Sequence, residues 1–240
     1  MKGARSGTLH IVSTHHQWPA FTPSRWPGIR PALTVVIPST NRVLIDGVNN
    51  AKIGRRFDKG PWDGIKVYTL TLEERATCHT GCERWRSCYG NNMQWAQRFQ
   101  VGPALHEAIS RDVAELTLKH VAGIAVRLHV LGDFHSPGYV QLWAELMRKH
   151  VTLRVFGFTR RWDAGDPIAE AVRELVREQP ERFRIRFSNA PAELGPSAVT
   201  VEYAAPPGAI LCPAQMHQTE TCSTCALCLT TEKQIAFIQH

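Results

Sequence analysis

The sequence predicts an α/β protein whose parallel βα repeats form a partial or complete (β/α) barrel. Segments rich in β-branched and aromatic residues alternate with amphipathic helical segments, which is typical of βαβ units with a parallel sheet. Polar residues followed by proline, Ser136-Pro137 and Asp166-Pro167, mark helix starts. A chain of 240 residues fits one α/β domain. A doubly wound sheet is the alternative arrangement.

Three helices follow from proline positions and apolar spacing. The first covers 104–120, with Pro103 at its first position and an end near Gly123. The second covers 139–150 and the third runs from 166 to Pro180. Each of the last two carries an apolar stripe, formed by Tyr139, Trp143, Leu146 and Met147 in one and by Ile168, Val172, Leu175 and Val176 in the other.

The predicted strands surround these helices, at 65–72, 124–131, 152–159, 182–190, 198–203 and 208–212. The segment 182–190 alternates arginine with apolar residues, which predicts that one face of this strand is polar or that the strand lies at an edge. A further short strand is expected in "ALTVVIP". No internal repeat is evident.

Charge divides the chain unevenly. Residues 1–66 carry ten Lys and Arg against three Asp and Glu, whereas 67–240 carry eighteen of each. We therefore divide the chain into a basic N-terminal extension (1–60), an α/β core with the first cysteine loop (61–211) and a cysteine-rich metal-binding segment (212–240). The basic extension could bind a nucleic acid through its phosphates, or it could be a solvated surface. No membrane span or secretory signal is evident, which predicts a cytoplasmic protein.

Seven cysteines fall into two groups. The second group, Cys212, Cys222, Cys225 and Cys228, has an overlapping C-x2-C-x2-C run and a remote Cys-Pro. This pattern favours a closed [4Fe-4S] cluster over zinc, whose structural sites usually use two separated cysteine pairs. An odd number of cysteines without a secretory signal argues against a disulfide framework.

The first group, Cys78, Cys82 and Cys88, offers only three thiolates. A four-iron cluster bound there would keep one iron open to a histidine (His79 or His106), water or a substrate. A Cys3His zinc site is the alternative.

Several polar residues follow predicted strands, and the carboxyl ends of parallel strands carry the ligand site. The first cysteine loop, "GDFHSPG", "FTRRWD" and "SNAP" all follow strand ends, and so does Cys212. These segments should therefore converge on one edge of the sheet. The candidates for catalysis there are His129, Asp133 and His135, and those for cofactor binding are Arg127, Gly132, Asp133, Ser188 and Asn189. Each also has a structural interpretation, as a core, turn or solvated residue. Arg127 and His129 share one face by strand periodicity, which indicates either a polar cavity or a solvated surface.

The order of strand, three-cysteine loop, helix and a strand ending in Gly132-Asp133 resembles the radical-SAM enzymes. The resemblance implies a barrel-like fold and an open cluster at Cys78, Cys82 and Cys88. That cluster would bind S-adenosylmethionine, with Gly132 and Asp133 near the ligand's amino group, and would need an electron donor. The spacing C-x3-C-x5-C departs from the C-x3-C-x2-C of those enzymes, and "GDF" replaces their "GGE".

A second resemblance covers residues 60–240. The elements "TCHTGCERWRSCY", "RLHVLGDF" and "CPAQMHQTETCSTCALC" are similar to those of the phage gene product eighty-eight family. This resemblance implies a phage or prophage origin, hence a host cytoplasm. Three functions remain open: a radical-SAM-like enzyme, a non-catalytic iron–sulfur protein that supports nucleic-acid binding, and a zinc-stabilised binding module.

Overall fold

The structure is a computed structural model that describes residues 10–11, 33–34, 36–37, 39–85, 87–93 and 96–239. Its strands are β1 (His10–Ile11), β2 (Leu33–Thr34), β3 (Ile45–Asp46), β4 (Lys66–Thr69), β5 (Arg98–Phe99), β6 (Ile124–Leu128), β7 (Leu153–Thr159), β8 (Phe183–Ser188), β9 (Ser197–Val201), β10 (Ile210–Leu211) and β11 (Ile235–Ile238). Its α-helices are α1 (Glu74–Thr77), α2 (Pro103–Lys119), α3 (Pro137–Lys149), α4 (Pro167–Glu178), α5 (Cys222–Cys225) and α6 (Leu227–Thr230).

Eight strands form one sheet in the order β10-β11-β9-β8-β7-β6-β4-β3. All neighbours in it are parallel except β3 and β4. The predicted α/β class with a parallel sheet is confirmed. The sheet is open, because β3 and β10 are its two ends, so a complete barrel is wrong. Strands β1, β2 and β5 form a separate sheet.

The three long helices cover one face of the large sheet, called here the helix-covered face. Their apolar residues join strand residues such as Val126, Val155 and Ile185 in one buried cluster. A sequential strand order with right-handed crossovers places successive helices on the same side, so the doubly wound alternative is wrong. The predicted caps are confirmed: the Ser136 hydroxyl accepts a hydrogen bond from the Tyr139 N–H (3.1 Å) and the Asp166 carboxylate accepts one from the Ile168 N–H (2.9 Å).

The opposite face of the sheet is covered by two segments distant in sequence. Ile53, Phe57 and Trp62 come from the first, and Ala226 and Leu229 come from the C-terminal helices. The predicted division at residues 60 and 211 stays a prediction, but both flanking segments contribute to the core. Most of the basic extension lies outside the described residues, and its predicted contact with a nucleic acid stays a prediction.

Strand β8 is central, since it pairs with β7 and β9, so the edge interpretation of its alternating arginines is wrong. Arg186, on the opposite face, is only 2% exposed. The C-terminal segment, whose strand β11 the sequence pattern did not predict, covers that face. No helix in the described ranges is long and apolar enough to cross a membrane.

A buried carboxylate on α2 holds the chain before β3. One Asp112 oxygen accepts hydrogen bonds from the N–H groups of Val43 (2.7 Å) and Leu44 (3.0 Å), and Asp112 is 0% exposed. Arg111 neutralises the other oxygen. This contact fixes the entry of the chain into the large sheet.

We expect Asp112→Ala to lower the free energy of unfolding by about 3 kcal/mol, because two buried N–H groups lose their acceptor. Asp112→Asn should cost less, since its amide oxygen can still accept both bonds. Glu115→Ala, one turn further along α2 and exposed, should change stability by less than about 0.5 kcal/mol. Urea denaturation measures all three, and a loss as small for Asp112→Ala as for Glu115→Ala would contradict this role.

Candidate metal centres

The three cysteines of the first group lie in the loop that follows β4. Cys78 comes directly after α1, and the loop then turns through hydrogen bonds from the Cys82 N–H to the His79 carbonyl (3.1 Å) and from the Asn91 N–H to the Cys88 carbonyl (2.9 Å). All three are free and partly buried. Burial raises the pKa of Cys78 well above its usual value, and the charges of Asp133, Cys88 and Cys82 add to the shift. The three thiols therefore share one local environment.

A buried ion pair closes the base of this loop. Arg98 donates from Nε to Glu74 Oε2 (2.7 Å) and from Nη2 to Glu74 Oε1 (2.9 Å), and its side chain is 1% exposed. The same guanidinium also donates to the carbonyls of Gly90, Met93 and Ala96. Bidentate pairing with these extra bonds fixes both ends of the segment that carries the cysteines.

The loops after β6, β7 and β8 contact the first cysteine loop at the carboxyl edge of the sheet, as predicted from the strand order. The Asp133 N–H donates to Thr77 Oγ1 (3.1 Å) and Arg161 donates to the Thr77 carbonyl (3.2 Å). His79 Nε2 lies 3.4 Å from Asp163, and the Asn189 amide donates to Glu83. The predicted convergence is thereby confirmed for these three loops and the first cysteine loop, whereas none of these contacts involves Cys212.

Gly132 and Asp133 make contacts within the protein. Gly132 has φ +89°, and a Cβ there would lie 2.7 Å from Leu72 Cβ and from Thr77 Oγ1. The buried Asp133 carboxylate accepts hydrogen bonds from the N–H groups of Phe134 (2.7 Å) and Arg160 (2.8 Å). Burial raises its pKa although these bonds act in the other direction. Both residues shape the turn after β6, and their predicted contact with a cofactor stays a prediction.

The other predicted cofactor-binding residues lie at the same edge. The Ser188 carbonyl accepts a hydrogen bond from Trp162 Nε1 (2.9 Å), and Asn189 Oδ1 accepts one from the Thr200 N–H (3.0 Å). Arg127 and His129 contact different layers although the strand period predicts a shared face. Arg127 lies over Phe158, whereas His129 packs against α3, because β6 ends between them.

Three histidines surround Tyr139 on α3. His129 Nε2 lies 3.0 Å from the Tyr139 hydroxyl, and the rings of His135 and His106 lie 4.4 and 5.7 Å from the Tyr139 ring. One nitrogen of each histidine is buried without a hydrogen-bond partner. Burial lowers the pKa of all three, to about 4 for His135. The cluster is therefore neutral near pH 7.

The predicted fourth ligands of the first group differ in their surroundings. His79 Nδ1 accepts a hydrogen bond from the Gly81 N–H (3.0 Å) while its Nε2 faces Asp163. His106 belongs to the histidine cluster. In the structure, each of these two histidines thus has a packing role of its own.

The second cysteine group is assembled from two stretches of chain. Cys212 follows β10 and its N–H donates to the Ala236 carbonyl (2.9 Å). Cys222 begins α5, and its N–H donates to the Lys52 carbonyl (2.9 Å). Ala226, in the left-handed conformation between α5 and α6, turns the chain between Cys225 and Cys228.

Within the second group, the charges of three cysteines affect the pKa of the fourth. Burial raises the pKa of Cys228 to about 12, and the charges of Cys222, Cys212 and Cys225 add to the shift. Gly54 makes the close approach possible, since a Cβ there would lie 2.2 Å from Ser223 Oγ. The group is thus packed against residues 52–54.

Within the described part of the chain, no three His, Cys, Asp or Glu side chains converge on a point that could hold one metal ion. The four cysteines of a four-iron cluster bind four different irons, so they surround a volume and need not meet at a point. In the second group all four thiols are free, Cys212 is buried, and Cys222, Cys225 and Cys228 are partly buried.

The family model for Gene product 88 matches residues 42–193, which is more than half of the chain. The chain belongs to the Gene product 88 family. This phage family assignment agrees with the second sequence resemblance. The matched segment of this Gene product 88 protein contains the first cysteine group and ends before the second. No curated protein and no solved structure shows significant similarity to the chain.

Sequence reasoning missed three features of the site. The Glu74–Arg98 pair joins residues on either side of the loop, and Arg186 and Tyr139 looked like ordinary strand and helix residues. The regular arginine alternation in 182–190 was the only signal for Arg186. The sequence offers no signal for the ion pair, because it depends on the path of the loop.

We expect Arg98→Met to lower the free energy of unfolding by about 3–5 kcal/mol, because Glu74 would stay buried without its cation. The double variant Arg98→Met/Glu74→Leu should recover much of this loss, since an apolar pair removes the buried charge as well. Urea denaturation of the metal-free protein measures both. A double variant less stable than Arg98→Met would contradict the ion-pair explanation.

Acid should destabilise the protein through the histidine cluster. The folded pKa of His135 is about 4 and its unfolded value about 6.5, so the unfolded state binds the proton first. The contribution of His135 to the free energy of unfolding is fully present above about pH 6.5. It is lost as the pH falls toward about 4, which lowers the free energy of unfolding by about 2 kcal/mol for this partly buried ring.

Denaturant unfolding at a series of pH values should show a shallower acid slope for His135→Asn. His217→Asn is the matched control, because His217 is exposed and Asn tolerates its φ of 56°. Equal slopes in the wild type and His135→Asn would exclude this residue as the source.

Proposed function

We propose that this phage-family protein is an iron–sulfur protein with two centres. Cys212, Cys222, Cys225 and Cys228 would bind a closed cluster, and Cys78, Cys82 and Cys88 would bind a [4Fe-4S] cluster with one open iron. Two observations support the proposal: β10, which precedes Cys212, pairs with β11, which follows the run 222–228, and the charges of Cys212, Cys222 and Cys225 all raise the pKa of the Cys228 thiol.

Protein contacts support a closed site at the second group. The peptide N–H groups of Cys222 and Ser223 donate to carbonyls of the covering segment, and Thr221 caps α5. Ala226 and Leu229 bury apolar surface beside the thiols. Apolar cover of this kind limits solvent access to a cluster and so tunes its potential.

The first group supports an open site, because it has three thiols and lies where four strand-end loops meet. Cys78, Cys82 and Cys88 would hold the cluster, whose open iron would supply one-electron chemistry to a bound molecule. The role of the other residues around this loop would be to hold the three cysteines in position and to limit the access of water to them. The Glu74–Arg98 pair holds the loop, while Asn189 and Asp163 fix its outer side through Glu83 and His79.

The finer proposal is a radical-SAM-like enzyme that binds S-adenosylmethionine at the first centre and takes electrons from a separate donor. It is supported by the three-cysteine loop after the first parallel strand and by the sequential parallel sheet. In this proposal Gly132 and Asp133, which follow β6 at the same edge of the sheet, would lie near the amino group of the ligand.

Two other functions use the same residues. A non-catalytic iron–sulfur protein would use the clusters to support a nucleic-acid surface on the basic extension. A zinc-stabilised module would use the cysteines for folding alone. Both lack an open reactive iron, so they differ from the enzyme in metal content or in cleavage chemistry.

Metal analysis of protein purified without oxygen separates iron from zinc. We expect about eight irons and about eight sulfides per chain, and a broad absorption band at about 400 nm that bleaches on reduction. Cys228→Ser and Cys88→Ser should each lose about half of the iron. Thr230→Ala, an exposed residue of α6, should lose none. Stoichiometric zinc without colour would overturn the proposal.

Incubation of the reduced protein with S-adenosylmethionine tests the finer proposal. We expect cleavage products from the wild type and from Thr230→Ala, and none from Cys88→Ser, whose iron at the second centre should be retained. Cleavage that persists in Cys88→Ser would remove this centre from the reaction. Full iron content without any cleavage would favour the non-catalytic iron–sulfur protein.

A further inference from the structure

Arg186 lies on the central strand β8, under the segment that carries the last cysteine. Its side chain is among the largest that the fold buries, and the residue is only 2% exposed. A buried polar group normally uses its hydrogen-bonding capacity within the protein. The partners of this guanidinium therefore show which part of the chain it holds.

The guanidinium of Arg186 donates to four main-chain carbonyls. Nε donates to the carbonyl of Cys228 (3.0 Å), and Nη2 donates to that of Thr231. Nη1 donates to the carbonyls of Lys233 (3.0 Å) and Ser197 (3.2 Å). One side chain thus joins β8 to the start of β9, to α6 and to the connection between α6 and β11. The carbonyl oxygens also carry partial negative charge, which offsets the cost of burying the cation.

The short helix α6 needs a donor of this kind at its end. In a helix of one turn, most carbonyls have no partner within the helix. The Thr231 N–H closes the turn by donating to the Leu227 carbonyl (3.1 Å), which leaves the Cys228 carbonyl beyond the last helical bond. Arginine side chains are suited to hydrogen bonds with such terminal carbonyls. Arg186 therefore caps α6 from below.

Other cysteines of the second group are held by other contacts. The Cys222 N–H donates to the Lys52 carbonyl (2.9 Å), and the Cys212 N–H donates to the Ala236 carbonyl (2.9 Å). Neither bond involves β8. Cys228 is thus the cysteine of this group whose main chain is tied to the centre of the sheet through Arg186.

We propose that Arg186 is a positioning residue, which holds Cys228 in place as the fourth thiol ligand of the C-terminal centre. This inference rests on the proposed metal-binding function. A guanidinium presents five N–H groups in a planar fork and can reach carbonyls that lie in different directions, whereas an ammonium group concentrates three donors on one atom. Loss of the fork should release Cys228 and leave Cys212 and Cys222 anchored.

The first test measures the reactivity of single thiols in metal-free protein. It compares the wild type with Arg186→Met, Arg186→Lys and the control Arg184→Met. Arg184 lies two residues earlier on β8 and contacts the same C-terminal segment, through an ion pair with Glu232 (3.3 Å). Because Glu232 is exposed, that pair should contribute little. The rates of alkylation by iodoacetamide are followed at Cys228 and Cys222 by mass spectrometry that locates the modified residue.

We expect Arg186→Met to increase the alkylation rate of Cys228 at least about tenfold and that of Cys222 less than about twofold. Arg186→Lys should behave almost like Arg186→Met, and Arg184→Met should behave like the wild type. An unchanged ratio of the two rates in Arg186→Met would overturn the inference. Wild-type behaviour of Arg186→Lys would also overturn it, because charge alone would then suffice. Equal acceleration at both thiols in the two Arg186 variants would indicate general unfolding and would exclude a specific role at Cys228.

The second test counts the ligands of the metal centre. In a Cys88→Ser background, the C-terminal centre should contribute about four irons per chain. With Arg186→Met added, we expect about three, together with an electron paramagnetic resonance signal from a three-iron cluster in the oxidised protein. Arg184→Met should keep the full iron content and show no such signal.

The outcomes of the second test separate the inference from the proposed function. Full iron content in Arg186→Met would overturn the positioning role and leave metal binding intact. Loss of all iron in that variant would overturn the assignment to Cys228 alone. A wild type without metal would overturn the proposed function, while alkylation of the metal-free protein would still decide whether Arg186 holds Cys228.

Discussion

The order of the parallel strands is the constraint on which the rest of the structure depends. Because β4, β6, β7, β8 and β9 follow one another across the sheet, their crossovers place α2, α3 and α4 on the same side. The other side must then be buried by segments from elsewhere in the chain. Residues 53–62 and the C-terminal helices fulfil this need, and they bring the second cysteine group against strands β6 and β8.

This arrangement explains why so many polar residues at the carboxyl edge contact each other. Asp133, Arg161 and Asn189 hold the first cysteine loop by hydrogen bonds to Thr77 and Glu83. The Glu74–Arg98 pair fixes the same loop from below. The loop that carries Cys78, Cys82 and Cys88 is therefore held at both its base and its outer side.

Charge gives the two cysteine groups different surroundings. The first lies near the carboxylates of Asp133 and Glu74, whereas the second lies near Arg127 and Arg186. An acidic neighbourhood disfavours added negative charge and a basic one stabilises it. Nearby carboxylates therefore add to the burial that raises the pKa of the Cys78 thiol, whereas Arg186 opposes the burial that raises the pKa of the Cys228 thiol.

The sequence by itself determined the α/β class, the three long helices with their proline starts and the two cysteine groups, because these depend on local periodicity, caps and spacing. It did not determine that the sheet stays open, that β8 lies in its centre or that β11 inserts beside β9. Those features depend on which segment covers the second face, a choice made by contacts between residues far apart in the chain. For the same reason only the tertiary structure placed Arg186 beneath the C-terminal segment, where it donates a hydrogen bond to the Cys228 carbonyl.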